Sequence, residues 1–204
     1  MHEHDEHSPQ GWDRRYSSAE RLWSGRVNAA VAAEAAALHP GRALDVGCGE
    51  GADAIWLAGR GWTVTGLDPS RVALDRAVEA ARAGGVDVSW IHGKLADRLV
   101  AGPMDLVCAC YPALPLETDP LQQLVSLVAP GGTLLVVHHA DIDVERAKAH
   151  GFDPATLLQP ADVVRGLGAG WRVVVDEVRE REVAEGAGAD HHLDHVVRAE
   201  RLPD

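Results

Sequence analysis

Positive charge is in short supply along this chain. Lys and Arg number 19 against 31 Asp and Glu, a formal net charge of −12. A surface that tracks nucleic-acid phosphates needs clustered cations, so this balance argues against a nucleic-acid partner and for a solvated acidic surface. Cysteine is also sparse and odd in number, with three residues. Cys108 and Cys110 fall two apart on one expected strand, where they share a face but do not bridge readily. Reduced thiols, and with them a cytoplasmic location, are the expectation. No apolar run approaches the ~20 residues that span a bilayer, and Met1 to His7 lack the basic and apolar regions of a secretion signal. A membrane partner is therefore not expected. No feature sets an oligomeric state.

Present in quantity is apolar content, 46% over 204 residues, which suits one globular domain. Residues 1 to 11 are polar and His-rich and read as a disordered tail, leaving 12 to 204 as a single domain. Trp12 to Leu38 reads as one or two helices, stopped by His39-Pro40-Gly41. From there strands and helices alternate. Expected strands are Ala43–Val46, Thr63–Leu67, Val86–Ile91, Met104–Cys110 and Thr133–Val137, with helices over Ala52–Gly59, Ser70–Ala83, Asp119 to about Pro130 and Pro160–Leu167. The first five strands are near-continuously apolar, as parallel strands covered on both faces are. The last two, Trp171–Val178 and Leu193–Ala199, are separated by a Gly-rich polar loop with no room for a helix, so they pair antiparallel. The expectation is an α/β, Rossmann-like three-layer sandwich with a mostly parallel seven-stranded sheet ending in an antiparallel hairpin.

The most telling stretch is Leu44-Asp45-Val46-Gly47-Cys48-Gly49-Glu50-Gly51, answered by Asp68 at the end of Val64-Thr65-Gly66-Leu67-Asp68. A glycine turn between strand and helix lets the backbone approach a ligand, and a carboxylate ending the second strand is placed to accept both hydroxyls of a ribose. An adenosine cofactor follows. The turn, continued by Ala52, satisfies G-x-G-x-x-G/A, which leaves a small NAD-linked reductase as one reading. Three features oppose it. Asp45 would repel a pyrophosphate but attract a sulfonium or ammonium. Neither Tyr16 nor Tyr111 begins a Tyr-x-x-x-Lys, and no length remains for a separate substrate domain.

With Val128-Ala129-Pro130-Gly131-Gly132-Thr133-Leu134-Leu135 added, the chain resembles the class I S-adenosylmethionine-dependent methyltransferases, clearly over residues 41 to 138. Trp12-Asp13-Arg14-Arg15-Tyr16 and Trp23-Ser24 make it more like the small bacterial tellurite-resistance and thiopurine methyltransferase groups. The resemblance implies S-adenosyl-L-methionine as cofactor, with Asp45, Gly47, Cys48, Gly49 and Gly51 around its methionine portion and Asp68 on the ribose. Leu67 and Pro69 flank the adenine, and Lys94, Leu95 and Cys110 complete the set. Lys94 stands where the family usually carries Asp, and an ammonium accepts no hydrogen bond. A backbone carbonyl or Asp97 then takes the adenine amino group, or affinity is weakened.

Methyl transfer from a sulfonium is a direct displacement that positioning alone accelerates. Acceptor-side candidates lie past the fourth and fifth strands: Cys110, Tyr111, His138, His139 and Asp141. His139 is either a general base or a structural hydrogen-bonder, and Tyr111 either lines the acceptor pocket or fills the core. Trp12, Arg15, Tyr16 and Trp23 form either a helical lid over residues 12–40 or an amphipathic helix docked on the sheet. His2, His4, His7, His191, His192 and His195 show no recognised ligand spacing, so no metal is expected. A small-molecule acceptor is expected, and a non-catalytic cofactor-binding protein is the alternative.

Overall fold

The computed structural model describes residues 8–149, 153–181 and 190–203. The expected tail and His2, His4 and His7 fall largely outside these residues, as does most of the last loop. Seven strands form one sheet: β1 (Arg42–Val46), β2 (Thr63–Asp68), β3 (Val88–His92), β4 (Met104–Cys110), β5 (Val128–His139), β6 (Trp171–Glu180) and β7 (Leu193–Arg201). Their spatial order is β3-β2-β1-β4-β5-β7-β6. β1 to β5 pair in parallel, and β7 enters antiparallel between β5 and β6. The helices are α1 (Pro9–Ser17), α2 (Ala29–Ala35), α3 (Ala52–Ala58), α4 (Arg71–Gly84), α5 (Pro120–Leu127), α6 (Val144–Ala149) and α7 (Pro160–Gly166).

Strand alternation sorts the core into two layers. Leu44, Val46, Val107, Leu134 and Val136 pack with Leu124 of α5 and Val163 of α7. On the other face Ala43, Leu106, Leu135 and Val137 pack with Val31 of α2 and Ala54 and Leu57 of α3. α4 starts where its sequence says it should: Ser70 Oγ accepts the Ala73 amide at 3.1 Å, and Gly85 ends it in the left-handed region.

Several boundaries differ from expectation for local reasons. α1 starts at Pro9 rather than Trp12, because the Ser8 side chain accepts the Gly11 amide. Strand structure begins at Val128, beside Met104, and passes an irregularity before Leu106 meets Thr133; α5 accordingly stops at Leu127. β3 is half-exposed rather than covered on both faces, since it forms a sheet edge. α6 went unanticipated.

β1 and β4 are neighbours although β2 and β3 leave on one side and β5 on the other. This is the switch point at which open α/β sheets bind ligands, beyond the strands' carboxyl ends. β7 runs the opposite way, so its first residues arrive at that same end, and so does the end of β6.

Candidate functional site

A cavity of about 830 Å³ opens at this switch point, inside the ~300–1,000 Å³ range of small-molecule sites. One wall is the glycine turn. Gly47 and Gly49 adopt φ of 73° and 53°, a region that costs other residues energy. Their amides, with that of Cys48, are held inward: Gly47 and Cys48 donate to the Leu67 carbonyl, and Gly49 donates to Asp68 Oδ2 at 2.8 Å. Asp68 Oδ1 takes the Ser70 amide at 2.8 Å. A carboxylate so braced keeps acceptor capacity toward the cavity.

Three acidic side chains line this wall: Asp45, Asp53 and Asp68. Asp45 is buried on β1 opposite Cys108, whose thiol lies 3.8 Å from Oδ1. Its Oδ2 is buried and has no hydrogen-bond partner among the described residues. Burial, then the neighbouring Asp53 and Asp68 charges, pushes its pKa well above the usual range. Burial also raises Asp68 and Asp53 to about 6 each, against the backbone amides they accept. Burial and mutual proximity disfavour ionising all three carboxyls together, a penalty that positive charge brought by a ligand relieves. The three fit a cationic ligand and repel a pyrophosphate, and the dinucleotide reading fails on this point.

The N-terminal segment closes the cavity. Trp12, Tyr16 and Trp23 line it, with Tyr16 Oη accepting Trp23 Nε1–H at 2.9 Å. Glu50 fixes the segment from the glycine turn: Oε1 accepts the Leu22 amide at 3.2 Å and Arg76 Nη1 at 2.8 Å, and Oε2 accepts the Trp23 amide at 3.1 Å. Arg76 also donates to the Tyr16 and Ala19 carbonyls. Asp13 accepts the Ser70 hydroxyl at 2.6 Å and the Val72 amide at 3.2 Å, tying α1 to the start of α4.

At the opposite end lies a polar cluster built from five segments remote in sequence. Tyr111, in the left-handed region at φ 52°, follows β4 and stacks on His139, ring centroids 4.2 Å apart. Its hydroxyl donates to Asp194 Oδ2 at 2.7 Å and accepts Asn28 Nδ2–H at 2.8 Å. His139 Nδ1 lies 3.2 Å from Asp194 Oδ1, and Arg181 Nε 3.4 Å from Asp194 Oδ2. His191 stacks on the other face of His139 at 4.0 Å. Burial, and the nearby His191 and Arg181, lower the His139 pKa although Asp194 opposes the shift. Apolar walls come from Val27, Pro112, Leu114, Leu116 and Leu157.

Most expected site residues meet at this cavity: Asp45, Gly47, Cys48, Gly49, Asp68, Pro69, Lys94, Leu95, Cys110, Tyr111, His139, Trp12, Tyr16 and Trp23. Three do not. Gly51 points away, since a Cβ there would meet Trp90 Cη2 at 2.6 Å and Ala77 Cβ at 2.9 Å; it allows α3, α4 and β3 to pack closely. His138, adjacent to His139 on a strand, faces the other side of the sheet, where burial lowers its pKa to about 4. Arg15 is exposed and lies over the Trp12 and Trp23 rings at 5.4 and 5.6 Å. Asp97, offered as an adenine acceptor, turns back to take the Lys94 amide at 2.8 Å and is not on the cavity wall. His191 and His195 pair with Asp141 and Asp176. Asn28, Glu50, Asp53, Arg181 and Asp194 were not anticipated. β7 also carries His195, Arg198, Glu200 and Arg201, so nothing in its sequence singles out Asp194.

A methyltransferase-domain family model matches residues 43–132. Ubiquinone biosynthesis O-methyltransferase of Escherichia coli is 35% identical over 171 residues, 75% of this chain and 68% of that protein. tRNA 5-carboxymethoxyuridine methyltransferase of Escherichia coli is 32% identical over 158 residues, 65% of this chain and 60% of that protein. Among solved structures, an S-adenosylmethionine-dependent methyltransferase of Thiobacillus denitrificans, in complex with S-adenosyl-L-homocysteine, superposes with a TM-score of 0.64 at 23% identity, covering 93% of this chain and 97% of that one. TehB of Haemophilus influenzae shares the fold with a TM-score of 0.60 at 13% identity, over 95% of this chain and 66% of that one. The chain spans 34%, 60% and 40% of the length of three of the curated relatives it matches. Among the described residues, no helix is long and apolar enough to cross a membrane.

Proposed function

The chain belongs to the class I S-adenosylmethionine-dependent methyltransferases, and from that membership we propose that it transfers a methyl group to a small-molecule acceptor by direct displacement. The observation that carries the reading is the unpartnered, buried Asp45 Oδ2 beside Asp53 and Asp68 on one cavity wall. When bound, the cofactor supplies an electrophilic methyl on a sulfonium, together with the ammonium that such a wall lacks. Asp45 receives the positively charged methionine end, and the Gly47 and Gly49 backbone lets it approach. Asp68 accepts the ribose hydroxyls, and Pro69, Lys94 and Leu95 border the adenine. Cys48 and Cys110 remain protonated, since burial pushes both thiols up, and act as small packing groups.

Trp12, Tyr16 and Trp23 exclude water from the transferring methyl and offer aromatic faces to a cation. Tyr111 shapes the acceptor side, and His139 takes the acceptor's proton. One relative's name gives it a tRNA substrate, and another's assigns it to ubiquinone biosynthesis. The net charge of −12 and the apolar wall around Leu114 and Leu157 favour a small acceptor here.

A non-catalytic cofactor binder is the second reading, favoured by Lys94 at the adenine end. Release of S-adenosyl-L-homocysteine from S-adenosyl-L-methionine, measured with thiol, hydroxyl and amine acceptors and with total tRNA, separates the outcomes. Turnover with a small acceptor supports the first. Turnover only with tRNA overturns the small-molecule assignment, and tight binding without any turnover establishes the second.

A further inference from the structure

We propose that Asp194 is the positioning residue that makes His139 a base, and that the acceptor therefore enters as a weakly acidic O–H or S–H compound that must lose its proton. The inference rests on the methyl-transfer reading and deepens it. β5 and β7 pair antiparallel with His139 directly opposite Asp194, so the backbone register itself brings the two side chains together. A carboxylate only accepts, so Asp194 Oδ1 at 3.2 Å fixes the His139 tautomer with the proton on Nδ1. Nε2 then carries the lone pair, on a ring that lines the cavity.

The imidazole cannot turn away. Tyr111 stacks on one face at 4.2 Å and His191 on the other at 4.0 Å, and His191 is itself tied to Asp141 at 3.2 Å. Asp194 is equally committed: Tyr111 Oη donates to it, Arg181 Nε lies 3.4 Å away, and Asn28 donates to the Tyr111 hydroxyl. The charged and titratable groups facing His139 are thus Asp194 from β7, Arg181 beyond β6, Tyr111 beyond β4, and His191, with His138 adjacent on its own strand.

In the step that follows, the acceptor's O–H or S–H proton passes to His139 Nε2. A lone pair on the acceptor's oxygen or sulfur forms the new bond to carbon as the carbon–sulfur bond of the cofactor breaks, and that bond's electrons remain on the cofactor's sulfur as a neutral thioether. The imidazolium, stabilised by Asp194, later releases its proton to solvent. A protonated amine fits this end poorly, because the Arg181 guanidinium lines it. An apolar wall and a single deprotonating group suit a phenol or thiol.

The test uses the full chain, with 2-mercaptoethanol and phenol as protonated probes and thiophenol as a readily ionised one. Asp194→Asn should lower kcat for 2-mercaptoethanol and phenol by ~100-fold, the low end of general-base contributions, while thiophenol loses under ~5-fold. The affinity for S-adenosyl-L-homocysteine should not change, which separates this proposal from cofactor binding. The His139 ring-proton titration followed by NMR, which needs no acceptor, should move to lower pH in Asp194→Asn, since Asp194 raises that pKa. Should that variant fail to fold, His139→Gln must show the same acceptor-selective loss and Asp194→Glu must restore part of it. Equal losses on all three probes, or an unmoved His139 titration, would overturn the proposal.

Discussion

Asp68 Oδ2 accepts the Gly49 amide at 2.8 Å, so a carboxylate ending β2 braces the turn that follows β1. The same group accepts the Ser70 amide through its other oxygen. Ligand binding and turn geometry therefore share one side chain, and substitutions there have two separable effects.

Asp68→Asn keeps one acceptor oxygen and the side-chain volume. It should weaken S-adenosyl-L-homocysteine binding ~10–100-fold, the value of charged hydrogen bonds to two hydroxyls, with the fold retained. Asp68→Ala leaves two buried amides without a partner and should also lower stability by ~2–4 kcal/mol. Calorimetry and urea denaturation separate the two.

Cofactor affinity should fall with acid. Asp68 and Asp53 have pKa values of about 6 in the folded chain, above the ordinary 3.8 of an unfolded carboxyl. Between those values the folded state binds more protons, so these two groups stabilise the ligand-free fold at low pH. That contribution declines as pH rises from 3.8 to about 6. A cationic ligand prefers the ionised carboxyls and offsets the loss. The rise in Tm on adding S-adenosyl-L-methionine, whose sulfonium and ammonium are both positive, should accordingly be larger at about pH 8 than at about pH 5. An equal rise at both would contradict it.

Glu50→Ala removes the acceptor of two backbone amides and the partner of Arg76. The N-terminal segment should detach, costing ~3 kcal/mol as a partly buried pair is broken. Trp23 fluorescence should shift toward that of an exposed indole, and cofactor affinity should drop with it.

Gly49→Ala and Gly51→Ala should part company. At Gly49, φ is 53° and a Cβ would sit 2.7 Å from Tyr16 Oη, so the lid is pushed off and binding is lost. At Gly51 the clash is with Trp90 and Ala77, so stability falls first. Denaturation midpoints and cofactor affinities measured on both variants check the contrast.

Lys94→Asp should raise affinity several-fold if the adenine amino group meets this side chain, because Asp97 is occupied by the Lys94 amide. Binding of adenosine analogues lacking the amino group should then separate the variant from the parent chain.

These expectations divide along a line visible in the sequence. The glycine turn, Asp45 and Asp68 were legible because one βαβ unit, contiguous in the chain, builds them. The parallel sheet and antiparallel end were legible from strand composition and loop length. Asp194, Arg181 and Asn28 were not, since they reach His139 and Tyr111 only through the β5–β7 register and the docking of residues 22–28. His138 was misassigned although strand alternation already separates it from His139. Gly51 and Arg15 were misassigned because a motif position does not say which way it faces.

The account stands most directly on calorimetric titration of the protein with S-adenosyl-L-methionine and S-adenosyl-L-homocysteine, alongside Asp45→Asn. Binding of both, strongly weakened in Asp45→Asn, is the predicted result. Absence of binding by either ligand, or affinity unchanged by Asp45→Asn, would contradict it.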